Sequence, residues 1–529
     1  MNYKDYDYVR QCLLNREEIC LLDVREEAPH AEGHPLFAAN FPFSSIELNA
    51  YTKLPRFDVP IVTIDSGEGL AEASATRLID LGYTNVSVFE GGIESWSAAG
   101  GELFIDVNVP SKSFGELLEA TCDTPSMAAK DVKKMMDNNA DMVVVDVRRF
   151  DEYNTMCIPS GISVPGAELV LRVPDIATNP ETTVIVNCAG RTRSLVGAQS
   201  LVNSGLPNPV YALRNGTIGW TLAKQELVTG QSRTYSQTGD ETRQIASERA
   251  RGVADRAGVR RATKADLKSW SEQVDRTTYF FDVRSFDEYE KGHLSGFYPI
   301  PGGQLVQELE MYAPVRGARI VLADDDGARA NMSASWLAQM AWDVYVLDGL
   351  QAADFSVTGK WQTRLPEKPK AETLSPETLM IWIQENSDVT ILDFAKYVTY
   401  VKGHIPGANY LIRSQLEQQS VALPSTSKLV LTSDDGELAA YAVANIQTQT
   451  DADIFVLSGG TQAWAKAGYE LEEGETHLLS TPIDRYKRPY EGTAITNDVM
   501  QAYLDWEYGL VDQLGKDGTH HFRPLKVSA

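Results

Sequence analysis

Short apolar runs alternate with amphipathic stretches along nearly the whole chain, and the alternation itself repeats. Four runs end in aspartate: Leu21-Leu22-Asp23, Val145-Asp146, Phe281-Asp282 and Leu392-Asp393. In the first three the next two residues are valine and arginine (Val24-Arg25, Val147-Arg148, Val283-Arg284), whereas the fourth continues with Phe394. A second apolar run follows each, as at Val184-Ile185-Val186 and Leu429-Val430-Leu431. A glycine-rich turn leading to tryptophan closes the pattern at Gly91–Trp96, Asn215–Trp220 and Gly459–Trp464, with a degraded form at Asp348-Gly349. Short apolar runs bounded by turn residues predict buried strands, and stretches such as Leu195 to Leu201 predict helices. The period exceeds a hundred residues, so it marks duplicated domains rather than solenoid repeats of roughly 20–50 residues. The pattern places domains at 1–108, 123–232, 255–365 and 372–475, then a tail over 476–529. The polar segment 226–258 reads as a linker with some helix.

The second repeat carries the chemistry. After Val184-Ile185-Val186 comes Cys188-Ala189-Gly190-Arg191-Thr192-Arg193-Ser194. A strand that delivers a cysteine into such a turn, with a helix following, aims backbone N–H groups at one spot and favours an anion there. Thiolate chemistry calls for an electropositive, partly exposed setting, which the two arginines supply. Cys188 is therefore the candidate nucleophile. It lies 42 residues after Asp146. The same step from Asp23 reaches Asp65 and from Asp282 reaches Asp324, while strand matching puts Ser433 in the fourth copy. Only the second loop has a cysteine. At the position of Arg193 the first loop has Leu70, the third Arg329 and the fourth Leu438.

Taken together, Asp146-Val147-Arg148, Lys402-Gly403-His404-Ile405-Pro406-Gly407-Ala408, the Cys188 loop and Gly459-Gly460-Thr461-Gln462-Ala463-Trp464 resemble the rhodanese (sulfurtransferase) family. The likeness is to its four-domain members, and it covers nearly the whole chain to about residue 475. It implies an α/β fold of four tandem rhodanese-like domains, each a mainly parallel sheet flanked by helices, plus a C-terminal helical tail. It also implies a sulfurtransferase. The Cys188 thiolate would attack the outer sulfur of thiosulfate, or of another small sulfane-sulfur donor, and release sulfite. The persulfide would then pass to cyanide or a thiol acceptor. A phosphatase-type loop would place its arginine at position 194, which is Ser194 here; the shorter loop resembles the one that fits sulfur.

On this reading Arg191 and Arg193, with Ala189, Gly190, Thr192 and Ser194, bind substrate, arginine being suited to hold oxyanions in pairs. Asp146 and Arg148 brace the site. The domains holding Asp65, Asp324 and Ser433 are expected to be inactive, since none of these side chains can carry sulfane sulfur. The alternative is a scaffold or redox-sensing regulatory protein without turnover, with Cys188 as the sensor.

Composition narrows the partners. With 529 residues and 43% apolar residues, each repeat can bury its own core. A net charge of −25 argues against nucleic acid and anionic membranes. No apolar run approaches a membrane span, and the start (Met1-Asn2-Tyr3-Lys4-Asp5) lacks a leader pattern; a cytoplasmic, soluble protein is the expectation. The five cysteines form no Cys-x-x-Cys pair, so no disulfide framework, metal or cofactor is expected. Cys12, Cys20 and Cys122 read as packing residues, as does Cys157, whose alternative role is a resolving thiol for Cys188. Asp324-Asp325-Asp326-Gly327 could bind a metal but reads as a solvated turn, and His520-His521 as a solvated terminus. Val499, Met500, Tyr503, Leu504, Trp506, Leu510 and Leu514 predict an amphipathic helix packed on a domain.

Overall fold

The computed structural model describes residues 1–492 and 495–526. Each of the four repeats folds as a five-stranded parallel sheet. In the second, β1 (Ser126–Met127), β2 (Met142–Asp146), β3 (Ile162–Ser163), β4 (Thr183–Asn187) and β5 (Val210–Leu213) stand in the order β1-β5-β4-β2-β3. Every neighbouring pair is parallel. The other three sheets have the corresponding order.

The central strands show why the apolar runs are continuous rather than alternating. Val145 and Val186 face one core with Leu169, Leu195, Ala198 and Leu201. Val144 and Ile185 face another with Leu213 and Trp220. A strand covered on both faces needs apolar side chains at every position. Register then sets the site: Val145 pairs with Val186 and Asp146 with Asn187. The aspartate that ends β2 therefore lies beside the residue before Cys188, at the carboxyl edge where open α/β sheets bind ligands.

The chain falls into two compact units. One comprises Met1–Gln11, Ile19–Val107 and Thr363–Lys487, the first and fourth repeats. The other comprises Cys12–Glu18, Asn108–Gln362 and the segment from Arg488, which holds the second and third repeats and the tail. Within each unit a buried arginine–glutamate pair ties one repeat to the other. Arg413 donates to both Glu47 oxygens (2.5 and 2.8 Å) in the first unit. Arg329 Nη1 donates to Glu168 Oε1 (3.0 Å) in the second.

The second unit is built on α1 (Val109–Cys122), α2 (Thr192–Asn203), α3 (Gly216–Leu222), α4 (Asp240–Arg256), α5 (Arg329–Gln339) and α6 (Asn497–Asp517). The segment expected as a linker contains α4, whose Ala246, Ala250 and Val253 join the core of the second repeat. Their spacing of four and three residues makes a helical stripe, which small side chains in a charged stretch concealed. The predicted tail helix is α6. Its Met500, Tyr503 and Leu504 pack with Ile218. The residues after it are not a solvated end: Arg523 N and Leu525 N donate to Gln339 (2.7 and 2.6 Å), and His520 Nδ1 accepts from Phe522 N (2.9 Å). Among the described residues no helix is long and apolar enough to cross a membrane.

Candidate active site

Cys188 follows β4 directly, and its loop is held from behind. Thr217 N and Ile218 N, opening α3, donate to Cys188 O (2.9 Å) and Ala189 O (3.0 Å). Gly216 makes this approach possible. It sits at φ +53°, where a Cβ would lie 2.4 Å from Cys188 O and 2.8 Å from Gly190 O; only glycine tolerates both demands. That is the physical content of the recurring glycine turn. From the other side, Arg148 Nε and Nη2 bond the two Asp146 oxygens (2.9 and 2.7 Å), and Nη2 also reaches Met156 O (2.7 Å). Asn187 Nδ2 donates to Asp146 Oδ2 (2.7 Å), so the pair anchors the residue adjoining Cys188. The fourth repeat lacks the arginine, and burial there pushes Asp393 up to about 7.

The thiol is not partly exposed, as the sequence suggested, but 1% exposed. Its Sγ donates to Ser194 Oγ (3.3 Å), which in turn donates to Arg191 O (2.9 Å). Burial pushes the thiol up, while Arg193 and hydrogen bonds from Ser194 pull it down and Glu507 pushes it up again; the net direction is upward. The reason is a roof that no local reading of the loop reveals. Ser111 and Lys112 of α1, Gln307, Tyr490, and Tyr503 and Glu507 of α6 enclose a cavity of about 20 Å³ over the loop. Lys112 Nζ stands 5.7, 5.3 and 5.4 Å from the rings of Tyr490, Tyr503 and Trp506. These roof residues come from segments hundreds of positions apart in sequence, and although Tyr503 was expected to pack on a domain, nothing in any one segment marks its place over Cys188.

The two loop arginines point differently. Arg193 makes a two-pronged pair with Glu152 (2.7 and 2.9 Å) and lines the cysteine cavity. Burial opposes ionisation of Glu152, yet Arg193, Arg148 and Arg149 hold its carboxyl down at about 2. Arg191 also lines the cavity, but its guanidinium is taken up by other partners. It bonds Glu116 (2.8 Å twice), pairs with Glu119, donates to Asn215 Oδ1 (3.0 Å) and lies over Tyr508. Thr192 opens α2 and lines the cavity with Ala189 and Gly190. A larger apolar cavity of about 500 Å³ shares Ser111, Thr192, Arg193 and Gln307 with the cysteine cavity but does not contain Cys188.

Cys157 is fully buried and bridges to Val228; His34, His293 and His404 make the same bridge in the other repeats. It thus occupies a packing position common to all four. The aspartate turn of the third repeat is solvated only at Asp325, which is 43% exposed: Asp324 is 6% exposed, and Asp326 accepts from Ala328 N and Arg329 N (2.6 and 3.1 Å). Among the described residues no group of three or more His, Cys, Asp or Glu side chains is placed to hold a metal ion.

The four loops share one geometric device. The amide six residues after the cysteine position points at the side chain standing there. Asp65 Oδ2 accepts from Ala71 N (2.9 Å), Asp324 Oδ2 from Ala330 N (2.8 Å) and Ser433 Oγ from Ala439 N (3.3 Å). Asp65 and Asp324 accept a second amide as well, Gly67 N and Gly327 N (3.0 Å each).

Comparison with known proteins agrees with this architecture. A rhodanese-like domain family matches residues 7–99, 128–223, 263–349 and 375–467. The crystal structure of a thiosulfate sulfurtransferase from Pseudomonas aeruginosa is 56% identical, covers 99% of this chain and 100% of its own, and superposes with a TM-score of 0.98. A rhodanese-related protein from Thermoplasma volcanium, 23% identical, covers 19% of this chain and 97% of its own at a TM-score of 0.17. A rhodanese-like domain protein from Staphylococcus aureus, 19% identical, covers 20% and 99% at 0.18. No curated protein matches significantly. The chain belongs to the rhodanese-like family, with four copies of its domain in tandem.

Proposed function

We propose that this protein is a sulfurtransferase in which Cys188 alone carries sulfur, taken from thiosulfate and passed to a thiol or to cyanide. The observation that supports this reading best is the contrast among the loops. In three of them an oxygen-bearing side chain takes the inward-pointing amide, whereas in the second the atom at that place is Cys188 Sγ. The full-length similarity to a thiosulfate sulfurtransferase supports the donor.

The chemistry runs in two displacements. The Cys188 thiolate attacks the outer sulfur of thiosulfate; the new S–S bond forms as the old one breaks, and sulfite leaves with its electron pair. The acceptor then attacks the terminal sulfur and the Cys188 thiolate leaves. The cavity of about 20 Å³ has room for one or two small groups. It fits the added sulfur of a persulfide more closely than a whole thiosulfate ion, so the roof has to shift outward to admit the donor while its side chains still line the site. Because Arg191 is engaged by Glu116 and Glu119, the loop amides, Lys112 and Arg193 take the role of holding the donor's negative charge. Arg193 also favours the thiolate.

A rapid-mixing experiment tests the reading. Thiosulfate alone, without acceptor, should release one sulfite per chain in a burst, and cyanide should then yield one thiocyanate per chain. No burst, or a burst undiminished in Cys188→Ser, would exclude Cys188 as the carrier.

A further inference from the structure

Among the described residues, Glu507 is the one carboxyl in the roof of the Cys188 cavity. It is 1% exposed. Its Oε1 accepts from Tyr503 Oη (2.8 Å), while Oε2 has no hydrogen-bond partner. That orphan oxygen hangs over the loop: a Cβ added to Gly190 would lie 3.3 Å from it. A buried polar atom without a partner costs about 1–3 kcal/mol, and such an atom facing a nucleophile's cavity is suited to a ligand.

We infer that Glu507 is a further substrate-contacting residue of the Cys188 site, its Oε2 hydrogen-bonding an oxygen of the anionic donor from the side opposite the loop amides. This rests on the sulfurtransferase reading above. An oxyanion accepts hydrogen bonds, so the contact requires the carboxyl to be protonated and to donate. The surroundings keep it so. Burial and the neighbouring Glu116 push Glu507 up to about 8, against the opposing pull of Lys112, Tyr503 and Arg191. Arg191 is itself engaged by Glu116 and Glu119, and Lys112 stands within an aromatic cage. Cys188, Arg193 and Tyr490 complete the groups that share the cavity. Below its midpoint Glu507 is a neutral donor that welcomes a dianion; above it, the carboxylate has no proton to give and repels the donor. One side chain therefore makes donor binding sensitive to alkaline pH.

The test follows KM and kcat for thiosulfate separately from pH 6.5 to 9.5. With a midpoint near 8, wild-type KM should rise about eightfold between pH 7.5 and pH 9 by simple titration. Glu507→Gln is isosteric and neutral at every pH, so its KM should stay low and flat. Glu507→Ala should also be flat, but raised several-fold throughout. Protection of Cys188 from iodoacetamide by sulfite gives a readout that needs no turnover: its half-protecting concentration should climb with pH in the wild type and not in Glu507→Gln. Transfer activity with the same KM rise in Glu507→Gln would overturn the inference and leave the sulfurtransferase reading standing. Absence of transfer with pH-dependent protection that Glu507→Gln abolishes would do the reverse. An unchanged protection profile in both proteins would also overturn the inference.

Discussion

The second and third repeats lie in one unit and share a sheet order, yet their loops face opposite chemical problems. In the third, Asp324 accepts from Gly327 N and Ala330 N, and Arg329 is committed to Glu168, Glu288, Asp325 and Asp326. The cradle is filled by its own side chain. In the second, the equivalent place holds a sulfur that takes weaker hydrogen bonds, and Arg193 pairs with Glu152. The fold thus aims a backbone amide at the same place in every repeat, and the residue standing there takes it in three of them through oxygen. On the proposed reading, an oxygen there fills the loop, whereas a sulfur flanked by Arg193 can take a ligand.

Cys188→Ser should break the contrast most severely, lowering thiosulfate:cyanide transfer by at least about a thousandfold while circular dichroism stays unchanged. Adding Asp65→Cys to that variant sharpens the point: no activity should return, because Leu70 stands where Arg193 does and the thiol gains no cation. Recovery in the double variant would show that cysteine alone makes a loop active.

Arg193→Ala removes the cation beside Cys188 and leaves the half-buried Glu152 without its main partner. A fall in kcat/KM of about ten- to a hundredfold corresponds to the 1.5–3 kcal/mol carried by a charge-assisted bond. Steady-state kinetics check it, and a loss below threefold would remove Arg193 from the site. Arg191→Ala should act on the fold instead. Uncoupling Glu116 and Glu119 should cost about 3 kcal/mol in urea denaturation with thiosulfate KM changed only a few-fold. A large KM increase without loss of stability would restore Arg191 as the donor's anchor.

Glu507 also has a signature in stability. Its folded value of about 8 lies above that of an unfolded glutamate, so the folded state holds the proton more tightly. The resulting stability is full at acid pH and is lost as pH rises through about 8. Urea midpoints of wild type should therefore fall relative to those of Glu507→Gln between pH 6 and pH 9; parallel curves would contradict it.

The smallest effects belong to the filled loops. Asp65→Ala, Asp324→Ala and Ser433→Ala each remove a side chain that accepts backbone amides, which should cost about 1 kcal/mol of stability with kcat within a few-fold of wild type. A hundredfold drop in kcat from any one would mean that its loop takes part in transfer.

Much of this arrangement was legible in the sequence. The Asp-Val-Arg and glycine–tryptophan signatures fix strand ends and a loop-supporting turn through local chemistry, and the Cys188 loop announces itself because its charges are adjacent. Direction and burial were not legible. Arg191 and Arg193 look equivalent on paper, and only the positions of Glu116 and Glu152 in space separate them. The upward push on the Cys188 thiol comes from burial first and then from Glu507, in a helix more than 300 residues away in sequence. The apolar face of that helix predicted that it would pack, not where. The stripe Ala246, Ala250, Val253 was hidden for a different reason: small residues among many charges give a weak periodic signal.

The most direct test of the central claim is peptide-resolved mass spectrometry of the protein after brief exposure to thiosulfate. One sulfur atom should be gained on the peptide bearing Cys188, none on those bearing Cys12, Cys20, Cys122 or Cys157, and the gain should vanish on adding cyanide. Sulfur on Cys157, or on no cysteine at all, would contradict the account.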